Sequence, residues 1–371
     1  MHILFAGGGT AGHINPALAI AGYIKEKHPN AKISYIGTAD KLEATLVPQA
    51  GYDFYTIDVA GFQRSLSIKS IAKNVIAVKK AVMSSIKARK ILKEIKPDIV
   101  IGTGGYVSGP VLREAAKLKI KTAIHEQNAF PGITTKMLSP LVDVVMLAMP
   151  QAEKYLKSTK KTVITGNPVR SDFLLSDKDL ARARLGIDNR PMILSFGGSL
   201  GARPINEAVE ELIISHWKSG KYIHYHSTGK SGYENFLTKL KENGVDICSE
   251  NLRISEYISD MADCMAAADL IIGRAGAITL TEIEAIGRAS ILIPSPYVAE
   301  NHQYHNAMSL KENNAAEVIE EKDLSGEVLI KAVESILSNQ KNAEIMGNNA
   351  KNMAITDANE RIYNCVTNLF N

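Results

Sequence analysis

Apolar residues in this chain cluster in short runs separated by longer stretches of helical period. HILFA (2–6), KISYIG (32–37), DIVIGTGG (98–105), KTAIHEQN (121–128) and DVVMLA (143–148) form a first series. Near-continuous apolar runs between helical segments predict parallel strands covered by helices on both faces. The pattern then restarts with PMILSFGGSLGARPINEAV (191–209): a strand, a glycine turn and a helix, as at the N-terminus. KYIHYHS (221–227), LRISEY (252–257), DLIIGRAGA (269–277) and ASILIPSP (289–296) follow, each trailed by a helical stretch. Two successive modules of similar size predict two Rossmann-like domains. The boundary is expected in VITGNPVRSDF (163–173), where a strand ends in a Gly-Asn-Pro turn.

Length agrees with two domains, since 371 residues exceed most single cores. A hydrophobic fraction of 45% with 22% charged residues is that of an ordinary globular protein. A net charge of +4 is too small for a dedicated nucleic-acid binder. Cys248, Cys264 and Cys365 form no metal-spaced motif and are expected to be reduced, as in the cytosol. No run is long and apolar enough to span a bilayer. The N-terminus leads straight into a strand, so no signal peptide is expected.

Ligands of such sheets gather at the carboxyl ends of the strands. In FAGGGTAGHINPALA (5–19), Gly7, Gly9 and Gly12 satisfy the dinucleotide pattern G-x-G-x-x-G. Asn15 and Pro16 look like the cap and first-turn proline of the helix PALAIAGYIKEK, whose free amides suit an anion. A dinucleotide fold also wants an acid ending its second strand, but SYIGTAD puts Gly37 there and Asp40 in the next helix. On residues alone His13 is either a reactive imidazole or a histidine capping a glycine turn. FGGSLGAR (196–203) offers Ser199 and helix amides to a phosphate, or is a plain tight turn. GRAGAITLTEIEA (273–285) places Glu282 where a carboxylate could meet a ribose diol, or face solvent. No Walker motif is present.

GGGTAGHINPALA, GTGGYVSGP, HEQNAFPG, GNPVR, GGSLGA, RAGAITLTE and ENHQYHNA occur in this order along nearly the whole chain. In that order they resemble the MurG family, bacterial N-acetylglucosaminyltransferases that complete the lipid-linked peptidoglycan precursor. The chain departs from the family's usual residues at Ala11, Thr135 and Gly273.

The resemblance implies a GT-B fold, two Rossmann-like domains facing across a cleft. Residues 1–164, joined by a C-terminal helix over 350–371, would form the acceptor domain, and 165–349 the domain for UDP-N-acetylglucosamine. Carried over by position, Arg170, Ser199, Ile258, Ala277, Ile278, Thr279, Leu280, Thr281, Glu282 and Gln303 would bind the donor, helped by Thr10, Ala11, Gly12 and Asn128. The implied reaction moves the sugar with inversion to the C4 hydroxyl of undecaprenyl-pyrophosphoryl N-acetylmuramyl-pentapeptide (lipid I). Such a step needs a base and stabilisation of departing UDP. His13 is the candidate base and Glu126 the runner-up. Helix amides and Arg170 would meet the leaving charge, with no obligatory metal. The D-x-D triplet Asp177–Asp179 reads as helix-capping sequence. Thr103, Gly104 and Gly105 offer amides to the acceptor pyrophosphate.

From Arg64 to Lys96 ten basic residues meet only Glu94, interleaved with Leu66, Ile68, Ile71, Val75, Ile76, Val78, Val82 and Met83. Such a segment suits an anionic membrane surface, or is a solvated basic helix packed by its apolar stripe. A lipid-linked acceptor favours the first, at the cytoplasmic face of the cell membrane. Rival readings are a UDP-sugar epimerase, another GT-B transferase with a lipid acceptor, an NAD-dependent oxidoreductase, and a non-catalytic nucleotide-sugar binder.

Overall fold

The computed structural model describes the backbone of residues 1–59 and 68–370 and the side chains of 1–59 and 82–370. Arg64 and Leu66 of the basic segment lie outside the described residues, as do the side chains of 68–81. The chain forms two units, Met1–Pro168 with Asp357–Asn371, and Val169–Thr356.

The first unit alternates β1 (His2–Ala6), α1 (Ala11–Lys27), β2 (Lys32–Gly37), α2 (Glu43–Gln49), β3 (Asp53–Thr56) and α3 (Ile68–Ile95). It continues through β4 (Ile99–Gly102), α4 (Gly105–Lys117), β5 (Lys121–Glu126), α5 (Ile133–Leu138), β6 (Val144–Leu147) and β7 (Thr162–Ile164). The strands pair in parallel in the order β3-β2-β1-β4-β5-β6-β7.

Alternation along β1 sorts the core into two layers, because successive side chains point to opposite faces. Ile3 and Phe5 pack with Ala17, Ile20 and Ile24 of α1, while Leu4 and Ala6 pack with Leu92 of α3 and Val111 and Leu112 of α4.

The second unit begins with α6 (Ser171–Leu174) and α7 (Lys178–Leu185), then β8 (Met192–Phe196), α8 (Arg203–Trp217), β9 (Ile223–Ser227) and α9 (Tyr233–Glu242). β10 (Leu252–Ser255), α10 (Met261–Ala267), β11 (Leu270–Gly273), α11 (Ala277–Ile286) and β12 (Ala289–Leu292) follow. α12 (His302–Lys311), β13 (Glu317–Val318), α13 (Gly326–Leu337) and α14 (Gln340–Met353) complete it. Its parallel sheet runs β10-β9-β8-β11-β12-β13.

The chain then returns to the first unit as α15 (Ala358–Thr367), seating Ile362, Cys365 and Val366 in the β1–α1 core. The return comes at Asp357, so residues 350–356 end α14 and the following turn in the second unit.

In each sheet the strand order reverses at one place, beside β1 and β4 and beside β8 and β11. Ligands of open parallel sheets bind outside such reversal points. The glycine loops after β1, β4, β8 and β11 all open there.

Candidate active site

After β1 the chain turns through Gly7, Gly8 and Gly9. Thr10, extended at φ −142° and ψ 154°, then starts α1 at Ala11. The helix thus begins before Asn15 and Pro16, the cap and first-turn proline expected from the sequence. The glycines let the chain turn early, and Pro16 then lies inside the helix, where it offers no amide to the Gly12 carbonyl one turn back. The open helix head therefore lies at the loop, with Thr10, Ala11 and Gly12 exposed and His13 half-buried in the first turn.

The loop after β4 fixes His13 from below. Thr103 Oγ1 donates to the His13 carbonyl at 2.7 Å. Gly104, at φ +105°, lies under the imidazole, and a Cβ there would stand 2.6 Å from Nδ1. From the other side Nδ1 meets Gln127 Oε1 at 3.3 Å.

Two of the three amides expected to hold a pyrophosphate are spent inside the fold. Thr103 N donates to the Ala6 carbonyl at 3.0 Å, and Gly104 N to Ser108 Oγ at 3.1 Å. The parallel ladder and the cap of α4 claim them first, leaving Gly105 N of that set at the helix head.

Glu126 is buried, and both of its oxygens are taken. Oε1 accepts from Asn128 N at 3.2 Å and Asn128 Nδ2 at 3.1 Å. Oε2 accepts from Gly132 N at 3.0 Å and Thr135 Oγ1 at 2.6 Å. Four donors around one carboxylate organise the loop from Asn128 to Thr135. They leave no lone pair turned outward for a reacting hydroxyl, which argues against Glu126 as base.

Glu43, which the sequence did not mark, does similar work. Fully buried, it accepts from Thr38 N at 3.1 Å, Thr38 Oγ1 at 2.8 Å and Gly9 N at 3.1 Å. That clamps the loop after β2 to the glycine loop after β1.

In the second unit the loop after β8 exposes Ser199 ahead of α8, whose cap is Ala202. The loop after β11 starts α11 from an extended Gly276, so the amides of Ala277, Ile278 and Thr279 open the helix. Leu280 N donates to the Gly276 carbonyl at 3.0 Å and Thr281 Oγ1 to the Ala277 carbonyl at 2.9 Å. Both residues are buried. The Leu280 amide and the Thr281 hydroxyl are thus engaged within the helix.

Glu282 sits in the second turn of α11, and burial pushes its carboxyl up to about 7. The Arg170 guanidinium pulls it down and Asp172 pushes it up. Arg170 makes a two-point bridge to Asp172, at 3.2 and 2.9 Å, and stacks 4.8 Å from the Phe173 ring centre. Cation, helix head and carboxylate thus belong to one unit. Ile258 is buried between β10 and α10. Gln303 Oε1 accepts from Ser295 N at 2.9 Å, and its Nε2 has no partner among the described residues. Glu300 and Asn301 just before it take left-handed φ of +57° and +50°, a strain often stored at ligand sites. Asp177 caps α7 by accepting from Leu180 N at 2.9 Å, a helix-capping role.

The glycosyltransferase family 28 N-terminal domain matches residues 3–147 and the family 28 C-terminal domain residues 192–362. A protein of Acetivibrio thermocellus is 47% identical over 370 residues, covering 100% of this chain and 98% of its own. It is named UDP-N-acetylglucosamine--N-acetylmuramyl-(pentapeptide) pyrophosphoryl-undecaprenol N-acetylglucosamine transferase. The chain belongs to the MurG family of glycosyltransferases. The solved MurG of Acinetobacter baumannii superposes with a TM-score of 0.79 at 29% identity, covering 99% of each chain. A UDP-GlcNAc 2-epimerase from Neisseria meningitidis shares the fold at a TM-score of 0.66 but only 14% identity, covering 99% of this chain and 100% of its own.

MurG-family membership weakens the epimerase reading. Thr135, one of the chain's departures from the family's usual residues, makes the shortest of the four bonds to Glu126.

Proposed function

We propose that the chain transfers N-acetylglucosamine from UDP-N-acetylglucosamine to the C4 hydroxyl of undecaprenyl-pyrophosphoryl N-acetylmuramyl-pentapeptide, inverting the anomeric centre. The full-length likeness to a transferase of that name carries the reading. In it the second unit takes the donor. The α11 head and Arg170 meet the diphosphate with Ser199 beside it, the main chain at Ile258 reads the base, Glu282 accepts from the ribose hydroxyls, and Gln303 addresses the sugar. Amides of Thr10, Ala11, Gly12 and Gly105 at the two helix heads of the first unit, with Asn128, face the acceptor and the sugar.

His13 takes the C4 proton as the hydroxyl oxygen bonds to the anomeric carbon, while the bond to UDP breaks and its electron pair leaves with UDP. Helix amides and one guanidinium supply the positive charge for that departure, so acceptor-dependent UDP release should persist in EDTA. Release of UDP with a short-chain lipid I analogue tests the whole reading. UDP-N-acetylglucosamine binding with no such release would leave only a binding protein.

Glu282 makes donor binding pH-dependent. Its folded pKa is raised to about 7, so at pH 6 it is mostly protonated and accepts poorly, and at pH 8 it is mostly ionised. The donor's diphosphate diester does not titrate there. Affinity for UDP-N-acetylglucosamine, measured by calorimetry, is expected to rise roughly tenfold from pH 6 to 8, following the ionised fraction. Glu282→Gln should flatten the slope. Glu284, on the same helix and pushed by burial up to about 8, accounts for any slope left. An unchanged slope in the variant would remove Glu282 from the ribose site.

The membrane reading finds support on α3. Ala88, Ile91 and Leu92 face the core, while Val82, Met83 and Ile86 are 56%, 56% and 59% exposed among the exposed Lys87, Arg89, Lys90 and Lys93. No helix among the described residues is long and apolar enough to cross a membrane. Each cation near an anionic leaflet contributes about 1 kcal/mol. Reversing Lys87 and Lys90 to Glu should therefore cut partitioning onto vesicles of mixed zwitterionic and anionic lipid by about tenfold or more. Equal partitioning of variant and wild type in a flotation assay would place docking elsewhere.

A further inference from the structure

Three side chains next to the glycine loop have hydrogen bonds with only one consistent proton assignment. His125 is fully buried, and burial lowers its pKa and keeps the ring neutral. Its Nε2 lies 2.9 Å from the Gly166 carbonyl oxygen, which can only accept. Nε2 therefore carries the proton and Nδ1 is an acceptor. One end of the buried Gln127 amide stands 3.0 Å from that Nδ1 and 3.0 Å from the His125 carbonyl oxygen. Both neighbours accept, so that end is the NH2, and Oε1 is turned to His13 Nδ1 at 3.3 Å. Oε1 cannot donate, so His13 Nδ1 does. Asn167 Nδ2 holds the Gln127 carbonyl at 3.2 Å and steadies this stretch of chain.

We propose that Gln127 is a positioning residue which, backed by His125, holds His13 in its Nδ1–H tautomer and keeps the Nε2 lone pair for the acceptor hydroxyl. This rests on the reading of His13 as the base. An unconstrained histidine side chain favours the opposite tautomer. The other ring nitrogen's hydrogen bond decides which nitrogen is protonated, and here that bond makes Nε2 the base. When Nε2 takes the C4 proton, the imidazolium keeps its Nδ1–H on a neutral amide oxygen, so no second proton moves. The order from the Gly166 carbonyl through His125 and Gln127 to His13 does by hydrogen-bond sense what an orienting acid does in a catalytic triad.

The test is the ring 15N spectrum of the full-length protein labelled at histidine, alongside steady-state kinetics. Wild type should show His13 with Nδ1 protonated. Gln127→Leu should shift the ring toward Nε2–H and lower kcat on the order of 10- to 100-fold, with KM for UDP-N-acetylglucosamine changed less than about twofold. Wild-type His13 protonated at Nε2 overturns the proposal without any variant, so a Gln127→Leu protein that fails to fold does not shield it. An unaltered tautomer in folded Gln127→Leu overturns it too. Normal turnover by His13→Ala brings down the base reading and the proposal with it. An inactive His13→Ala beside an Nε2–H wild type removes the Gln127 relay alone.

Discussion

His13→Ala is expected to lower kcat for acceptor-dependent UDP release by about 10²- to 10⁴-fold, the range contributed by a positioned general base. Binding of UDP-N-acetylglucosamine should be little changed, because the donor contacts proposed above lie mainly on the second unit. The size of the effect follows from the two buried carboxylates that brace these loops being engaged already. Glu126, the carboxylate of the HEQN loop, already accepts four hydrogen bonds. Glu43 is buried and tied to Thr38 and Gly9. Neither can turn to a substrate hydroxyl without breaking the loop it organises, at roughly 1–3 kcal/mol for each buried donor left unmet. Folded His13→Ala with near wild-type turnover would mean that the proton leaves by another route. The first alternative to examine would then be a water held by the amides of the two helix heads. Loss of donor affinity in step with kcat would instead mean that the imidazole binds the sugar.

Much of this architecture is legible in the sequence because parallel strands buried on both faces tend to be near-continuously apolar, as β4, β6 and β1 after His2 are. β3 escapes that rule. It is a half-exposed edge strand, DFYT, that begins with an exposed aspartate. β13 is only two residues long. The glycine loops are legible as places where backbone approaches a ligand, and the strand order puts all four beside the reversal points. Partners are harder to read. Glu126 at the end of an apolar strand has the local look of a catalytic acid, and only the folded loop from Asn128 to Thr135 shows its lone pairs occupied. Thr103 and Gly104 look like free amides until the parallel ladder claims one and Ser108 the other. Gln127 lies between two conspicuous residues, and the contact that gives it meaning crosses 114 positions to His13. Nothing periodic marks such a pair. α1 starts ahead of its Asn-Pro cap signal for a local reason, since the three preceding glycines override that signal.

Acidification should unfold the second unit. His224 and His226 lie on the same face of β9, both buried, and burial drops each pKa to about 3. His216 and His226 push His224 further down, while the Ser195 carbonyl draws His226 back up. His226 Nδ1 is also held by Ser195 Oγ at 2.8 Å, and its ring stacks on Phe236 at 4.7 Å. In the unfolded chain both residues regain a pKa near 6.5. Above that pH they are neutral in both states and cost nothing. As pH falls below it, the unfolded chain binds protons that the native state refuses, so stability drains between about pH 6.5 and pH 3. At pH 5 the loss is about 2 kcal/mol for each residue, and it reaches roughly 4–5 kcal/mol each by pH 3. Together these are comparable to the whole stability of an ordinary domain. Trp217, the chain's single tryptophan, lies on α8 against the core of this unit, so its fluorescence in a urea titration follows the unit selectively. His224→Phe keeps an aromatic ring of similar size and removes one titrating site. The drop in unfolding free energy between pH 7.5 and pH 5 should then shrink by about half. An equal drop in wild type and variant would trace acid lability to other groups.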